Sequence, residues 1–301
     1  SEELYENSSY GINNDNDDSD EENLDFKRRS QHLDAISMKN LVKLHRLIEE
    51  IWKYVPQLLS SVMGLLDAEL VADNDKIRIL STETIGRILE YQPSKLNFLT
   101  THHETWINWS KKILDASPLV RCKWVQTATK VLNSRFDMVT EISNGIVKAL
   151  IDTDEKVRLT AVKSVKENTS QTIFSGKFNH NLTIMNTLGQ LARERNLEIR
   201  NDSIYLLAEF YDHKFSDLIE EEAEKEDIEE EVTQEEGNNN TSTTTTTSSL
   251  CKLIGWIPDH LINLVYINSK EINATLDTIL VDKIFTLENS ATQRVKGFLY
   301  I

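Results

Sequence analysis

Four hydrophobic–arginine pairs, Ile77-Arg78, Val120-Arg121, Val157-Arg158 and Ile199-Arg200, recur at steps of 43, 37 and 42 residues. Each opens an apolar helical pattern. In the third, Val157, Ala161 and Val165 stand at i, i+4 and i+8 on one helix face, which Val162 widens. Asp152 or Asp154 can cap that helix and complement its dipole. The first runs on through Thr82, Ile85 and Ile88, the second through Val125 and Ala128, and the fourth through Ile204 and Leu207. Val295-Lys296 opens another near the end. One such match constrains little. Four in register, each preceded by another apolar helical segment, restrict the chain to stacked helix pairs. The step matches the roughly 40–47 residues of HEAT and armadillo repeats. The expected fold class is therefore all-α, a HEAT-repeat α-solenoid.

Taken in order, residues 1–30 are acidic, lack apolar periodicity and read as a disordered segment. Ser19, followed by three acidic residues, suits an acidophilic kinase, although a plain solvated tail explains the run as well. The solenoid is expected over 31–214. Its helices run from Met38 to near Pro56, from Leu58 to Leu70, from Asp73, and from Trp106. Further helices follow Pro118, which sits harmlessly in a first helical turn. Val139–Leu150, Val157–Val165, Leu182–Leu191 and Ile199–Tyr211 complete two more pairs. Residues 215–250, an acidic run followed by Asn and a Thr/Ser tract, read as a disordered low-complexity insertion. The solenoid resumes over 251–301. The chain lacks an initial Met and ends within an apolar pattern at Phe298–Ile301, so a piece of a longer chain is expected.

Charge sharpens this division. Residues 1–26 carry ten acidic side chains and no basic one, and 216–249 carry twelve acidic and one basic. Those two stretches hold −21 of a net −16, which leaves the body at +5. The acidity belongs to the appendages, and the solenoid is mildly basic. No run approaches about 18 apolar residues, so no membrane span is expected. Two cysteines, Cys122 and Cys251, do not make a disulfide framework, and a reducing compartment is the default.

The search for chemistry points away from an enzyme. The nine glycines form neither a dinucleotide fingerprint nor a phosphate loop. His102-His103-Glu104 looks like a metal cluster, but adjacent helical residues diverge by about 100°, unlike an HExxH pair. Cys122 lies between Arg121 and Lys123, yet its place in the repeat suits packing better. No cofactor or metal is expected. The recurrent Arg78, Arg121, Arg158 and Arg200 fit inter-repeat staples, paired with turn residues such as Asp73, Asp115 and Asp154, better than a nucleic-acid groove. Lys111-Lys112, Lys163/Lys166 and Arg193/Arg195 could add weak phosphate contacts. Physics alone reaches a scaffold with extended surfaces for peptides or helices.

Particular stretches go further. Leu44–Pro56 with Arg78–Gly86, Leu150–Arg158, Ala192–Arg195 with Glu198–Arg200, and above all Trp256–Asn268 resemble the fungal family called precocious dissociation of sisters (Pds). The resemblance spans roughly 40–301 without the insertion. It implies a non-enzymatic regulator of sister-chromatid cohesion, nuclear and on chromosomes, reaching chromatin mainly through cohesin. The implied partners are the kleisin subunit of the cohesin ring and the Wings-apart-like release factor. The ring's ATPase heads and their acetyltransferase are implied indirectly, and no membrane. The expected partner surface lies beside the insertion: Trp256, His260, Tyr266 and Lys270, with Arg200 nearby, receiving an amphipathic helix. For Trp256 and Tyr266 a core-packing role is the competing expectation. A nuclear-transport-receptor-like HEAT scaffold is the alternative, since those solenoids also carry acidic insertions.

Overall fold

In the computed structural model, residues 17–91, 97–168, 180–235, 249–267 and 270–284 are described. Among them the regular structure is entirely helical. The helices are α1 (Asp17–Tyr54), α2 (Ser60–Leu70), α3 (Asp75–Glu90), α4 (Phe98–Thr101), α5 (His103–Ser110), α6 (Pro118–Ser134), α7 (Val139–Leu150), α8 (Glu155–Asn168), α9 (His180–Leu191), α10 (Leu197–Glu235), α11 (Ser249–Ile254), α12 (Ile257–Leu264) and α13 (Lys270–Ile279). A π-helical turn, Leu280–Ile284, ends the described part.

Two layers form. Helices α1, α3, α6, α8, α10 and α13 pack side by side as one row, and α2, α5, α7, α9 and then α11 with α12 as the other. We call the first row the inner helices and the second the outer helices, and the outer-to-inner turns the front edge. Every front turn is short, as expected where consecutive helices are antiparallel neighbours.

The core between the rows is continuous from Ile48 to Ile284. Its first half is aromatic. Trp52 meets Phe98 edge-on at 5.8 Å, and Trp109 packs between Trp106 and Trp124 at 5.7 and 5.4 Å. The buried Trp109 indole N–H donates to the Thr82 carbonyl at 2.8 Å, so its polar atom is satisfied. Glycines set the closest approaches. A Cβ on Gly86 would lie 2.6 Å from the Thr127 Cβ, and one on Gly145 would strike the Trp124 ring. These two glycines are space requirements of helix packing.

A histidine is buried in the first repeat. His45 is 1% exposed; its Nδ1 lies 2.9 Å from Thr84 Oγ1 and its Nε2 2.9 Å from Glu69 Oε2. With Nε2–H facing the carboxylate, Nδ1 accepts from the Thr84 hydroxyl, joining α1, α2 and α3 through one ring.

The expected boundaries at 30 and 215 are not element boundaries. α1 reaches back to Asp17, and α10 runs on to Glu235. The Glu-rich extension of α10 contains neither Gly nor Pro, so an already nucleated helix propagates through it without an apolar face. The rest of both acidic segments, 1–16 and 236–248, lies outside the described residues, as does Val295-Lys296.

Candidate functional site

The front edge is built by one repeated device. Asn74, Asp154 and Asn196 cap α3, α8 and α10, each side-chain oxygen accepting the amide two residues on, at 2.9, 2.8 and 2.9 Å. In α6, Ser117 makes no side-chain cap bond, and Pro118 at the first helical position removes an amide that would have no partner within the helix. Four residues after each of these positions stands an arginine that turns back over its own loop. Nη1 of Arg78 donates to the carbonyls of Ala72 and Asp73 at 2.7 and 2.9 Å. Arg121 does the same to Asp115 and Ala116 (2.8 and 3.3 Å), and Arg158 to Asp152 and Thr153 (2.8 and 3.1 Å). Arg200 reaches the Glu194 carbonyl at 3.4 Å.

The remaining nitrogens cross to the next repeat. Arg78 forks onto Asp115 with both bonds at 3.1 Å, Arg121 onto Asp152 at 2.8 and 2.9 Å, and Arg158 reaches Glu194 at 3.3 Å. The acidic partners therefore differ from the expected set. Asp115 receives Arg78, but Asp73 offers only its carbonyl, and Asp152 rather than Asp154 receives Arg121. Asp154 is occupied in capping α8, and Asp152 stands two residues earlier in the turn. Burial pushes the Asp115 carboxyl up, but Arg78, the Ser117 amide and Lys112 together hold it below its ordinary value.

Of the expected partner residues, Trp256 and His260 are spent on a joint. The Trp256 indole N–H donates to the Leu253 carbonyl at 3.0 Å, and its ring rests on Gly189 of α9. His260 meets that ring edge-on at 5.4 Å, and its Nε2 lies 2.9 Å from the Gly189 carbonyl. Burial, assisted by Arg193, holds His260 below the usual imidazole range despite the bond to Gly189. Tyr266, in the front turn between α12 and α13, is 81% exposed. Lys270 opens α13 at the same edge, and Arg200 belongs to the arginine device one repeat earlier. Of these residues the structure joins Trp256 and His260 through Gly189 of α9 and leaves Tyr266 exposed in the turn that follows α12.

Nothing catalytic converges among the described residues. His102 is half-buried against Phe98 at 5.1 Å, burial lowers its pKa, and His103 and Glu104 face solvent. No group of metal-ligating side chains forms there. Burial pushes the Cys122 thiol up, and it accepts from the Thr160 hydroxyl at 3.5 Å. Lys112 is held by Asp115, Lys163 by Glu198 and Lys166 by Asp202, whereas Arg193 and Arg195 are exposed. Grooves of about 420 and 580 Å³ lie on the inner row, at α3–α6–α8 and between α10 and α13, lined mainly by polar and charged side chains. No described helix is long and apolar enough to cross a membrane.

Sequence reasoning missed the His45 junction and the seat of Trp256 on Gly189. A glycine inside an apolar helical pattern was the available signal for the second.

Comparison with known proteins now decides the lineage. The family described as sister chromatid cohesion protein PDS5 matches residues 12–301. The chain belongs to the PDS5 family. It is 31% identical over 261 residues to sister chromatid cohesion protein PDS5 of Saccharomyces cerevisiae, covering 87% of this chain and 18% of that protein. It is 22% identical over 279 residues to the Schizosaccharomyces pombe protein pds5, covering 92% and 20%. The chain therefore spans about a fifth of the length of these PDS5 relatives. A solved Pds5–Scc1 complex contains a chain similar to this one, with a TM-score of 0.70 and 30% identity, covering 87% of this chain and 35% of that one. The matched part of that solved chain shares the helical solenoid fold of this one.

Proposed function

We propose that this solenoid is part of a cohesin regulator and docks the kleisin subunit of the cohesin ring through its front edge. The observation that carries the reading is the 30% identical likeness, over most of this chain, to a Pds5 solved together with Scc1. The exposed Tyr266, at the end of the Trp256–Asn268 stretch, supplies an aromatic anchor of the kind that dominates interfaces. The same reading puts the protein in the nucleus on chromosomes, works it with the Wings-apart-like release factor, and links it to acetylation of the ring's ATPase heads. Its role is to maintain and release sister-chromatid cohesion without catalysis. The family match supports this reading over a nuclear-transport receptor.

The test is co-elution of the purified 301-residue chain with kleisin on a sizing column, followed by titration of labelled peptides tiling that kleisin. One tile should bind saturably. Tyr266→Ala should weaken it about tenfold or more while the circular-dichroism spectrum is retained. Binding to the transport GTPase in place of kleisin would refute the proposal.

A further inference from the structure

The junctions of the inner row are not alike. α3 and α6 approach so closely that a Cβ on Gly86 would lie 2.6 Å from the Thr127 Cβ. α6 and α8 touch through the Thr160 hydroxyl and the Cys122 sulfur at 3.5 Å. α8 and α10 are joined by the ion pairs Lys163–Glu198 and Lys166–Asp202. Between α10 and α13 runs the groove of about 580 Å³, with Asn201, Asp202 and Tyr205 on one wall and Ala274, Thr275 and Thr278 on the other. The α10 wall is committed to α8: Lys166 pairs with Asp202 at 3.0 Å and stands 4.5 Å from the centre of the Tyr205 ring. The α13 wall is made of small side chains. Leu276 and Ile279 of α13 are buried, so the helix is seated on the core while its flank leaves the groove open.

We propose that this junction is a latched hinge, with its pivot in the outer row and its latch in the inner row. The pivot is the seat of Trp256 and His260 on Gly189, where a Cβ on the glycine would lie 2.8 Å from the indole. Such a contact holds the outer helices at a fixed separation, while the groove leaves the inner helices room to move. The latch is the Lys283 ammonium, which donates to Asp212 of α10 at 3.2 Å. The two side chains are 29% and 30% exposed, so solvent ions reach the pair and the latch is weak enough to open. Lys283 stands in the π-helical turn Leu280–Ile284. A π turn holds one residue more than the α turn it replaces, and relaxing it would rotate Lys283 by about 100° about the axis, away from Asp212. Two local events, screening of the pair and relaxation of the turn, therefore release α13 from α10. A few residues at element ends absorb the motion, and the curvature of the solenoid changes at this joint.

The test is a spin-label distance measurement on the 301-residue chain carrying Cys122→Ser and Cys251→Ser. One label pair spans the joint, at Lys130→Cys on α6 and Asp277→Cys on α13. The other lies ahead of it, at Lys43→Cys on α1 and Lys130→Cys. All three positions are exposed, and an unchanged thermal midpoint checks each fold. Across the joint the parent is expected to give a narrow distance distribution at about 50 mM salt that broadens at about 500 mM. Lys283→Glu should be broad at both, and the exchanged pair Asp212→Lys/Lys283→Asp should narrow it again. The label pair ahead of the joint should stay narrow throughout. Identical distributions for the parent and Lys283→Glu across the joint overturn the latch, and equal broadening of both label pairs overturns the hinge.

Discussion

At the scale of single residues, the glycines separate by what faces them. A Cβ on Gly189 would lie 2.8 Å from the Trp256 ring, while one on Gly64 would meet nothing within 4 Å. Gly189→Ala should cost about 1–3 kcal/mol, through overpacking of the joint with Trp256 and His260. Gly64→Ala, in the exposed middle of α2, should stabilise by about 0.5–1 kcal/mol by removing backbone freedom from the unfolded chain. Opposite shifts in denaturant midpoint at unchanged slope check the pair. His102 and His260 add a pH effect. Burial depresses both, so the unfolded chain takes up protons that the folded chain resists. Their contribution is present above the unfolded imidazole value of about 6.5 and is lost as pH falls through the lower folded values. The thermal midpoint should fall between pH 7 and pH 5, and the double variant His102→Gln/His260→Gln should flatten that fall. Little of this was legible in the sequence. His260 and Gly189 are 71 positions apart, and no local pattern couples them.

At the scale of elements, much more was legible, because repeat position is written in local periodicity. The arginine register, a cap from the Asp152/Asp154 pair and the proline at the start of α6 all follow from near-neighbour chemistry. The choice of Asp152 over Asp154 does not, since both stand in the same turn and only three-dimensional stacking decides which one faces Arg121. Arg121→Ala deletes a forked carboxylate bond and two loop carbonyl bonds together, and should cost about 1–3 kcal/mol. Arg121→Lys should recover only part, because an ammonium cannot reproduce the planar fork. Chemical denaturation of both variants measures the difference. The carboxylate side responds to acid. The folded value of Asp115 is depressed, so its contribution is present above the unfolded value of about 4 and is lost as pH falls through the lower folded one. Asp115→Asn should therefore lower stability at pH 7 and reduce the further loss seen between pH 4 and pH 2. The full lengths of α1 and α10 are not legible for a different reason: apolar periodicity detects helices with an apolar face, and the acidic ends of these two carry no such pattern.

At the scale of the whole molecule, the two-row architecture and its family were both readable, because repeats in register and the Trp256–Asn268 stretch are properties of the chain itself. The binding surface was only half readable. Trp256 and His260 stand in the stretch that carries the family resemblance, yet their side chains pack against α9, and the most exposed large side chain described in that stretch is Tyr266. The central claim is that this edge binds kleisin by side-chain anchors with modest help from charge. Its most direct measurement is an anisotropy titration of the chain with the binding kleisin tile at 50 and 300 mM salt, with duplex DNA of similar length as the comparison. The account predicts saturable binding at about micromolar affinity or tighter that weakens only modestly with salt, and DNA binding that is weaker throughout. An affinity for DNA exceeding that for every kleisin tile and collapsing with salt would contradict it.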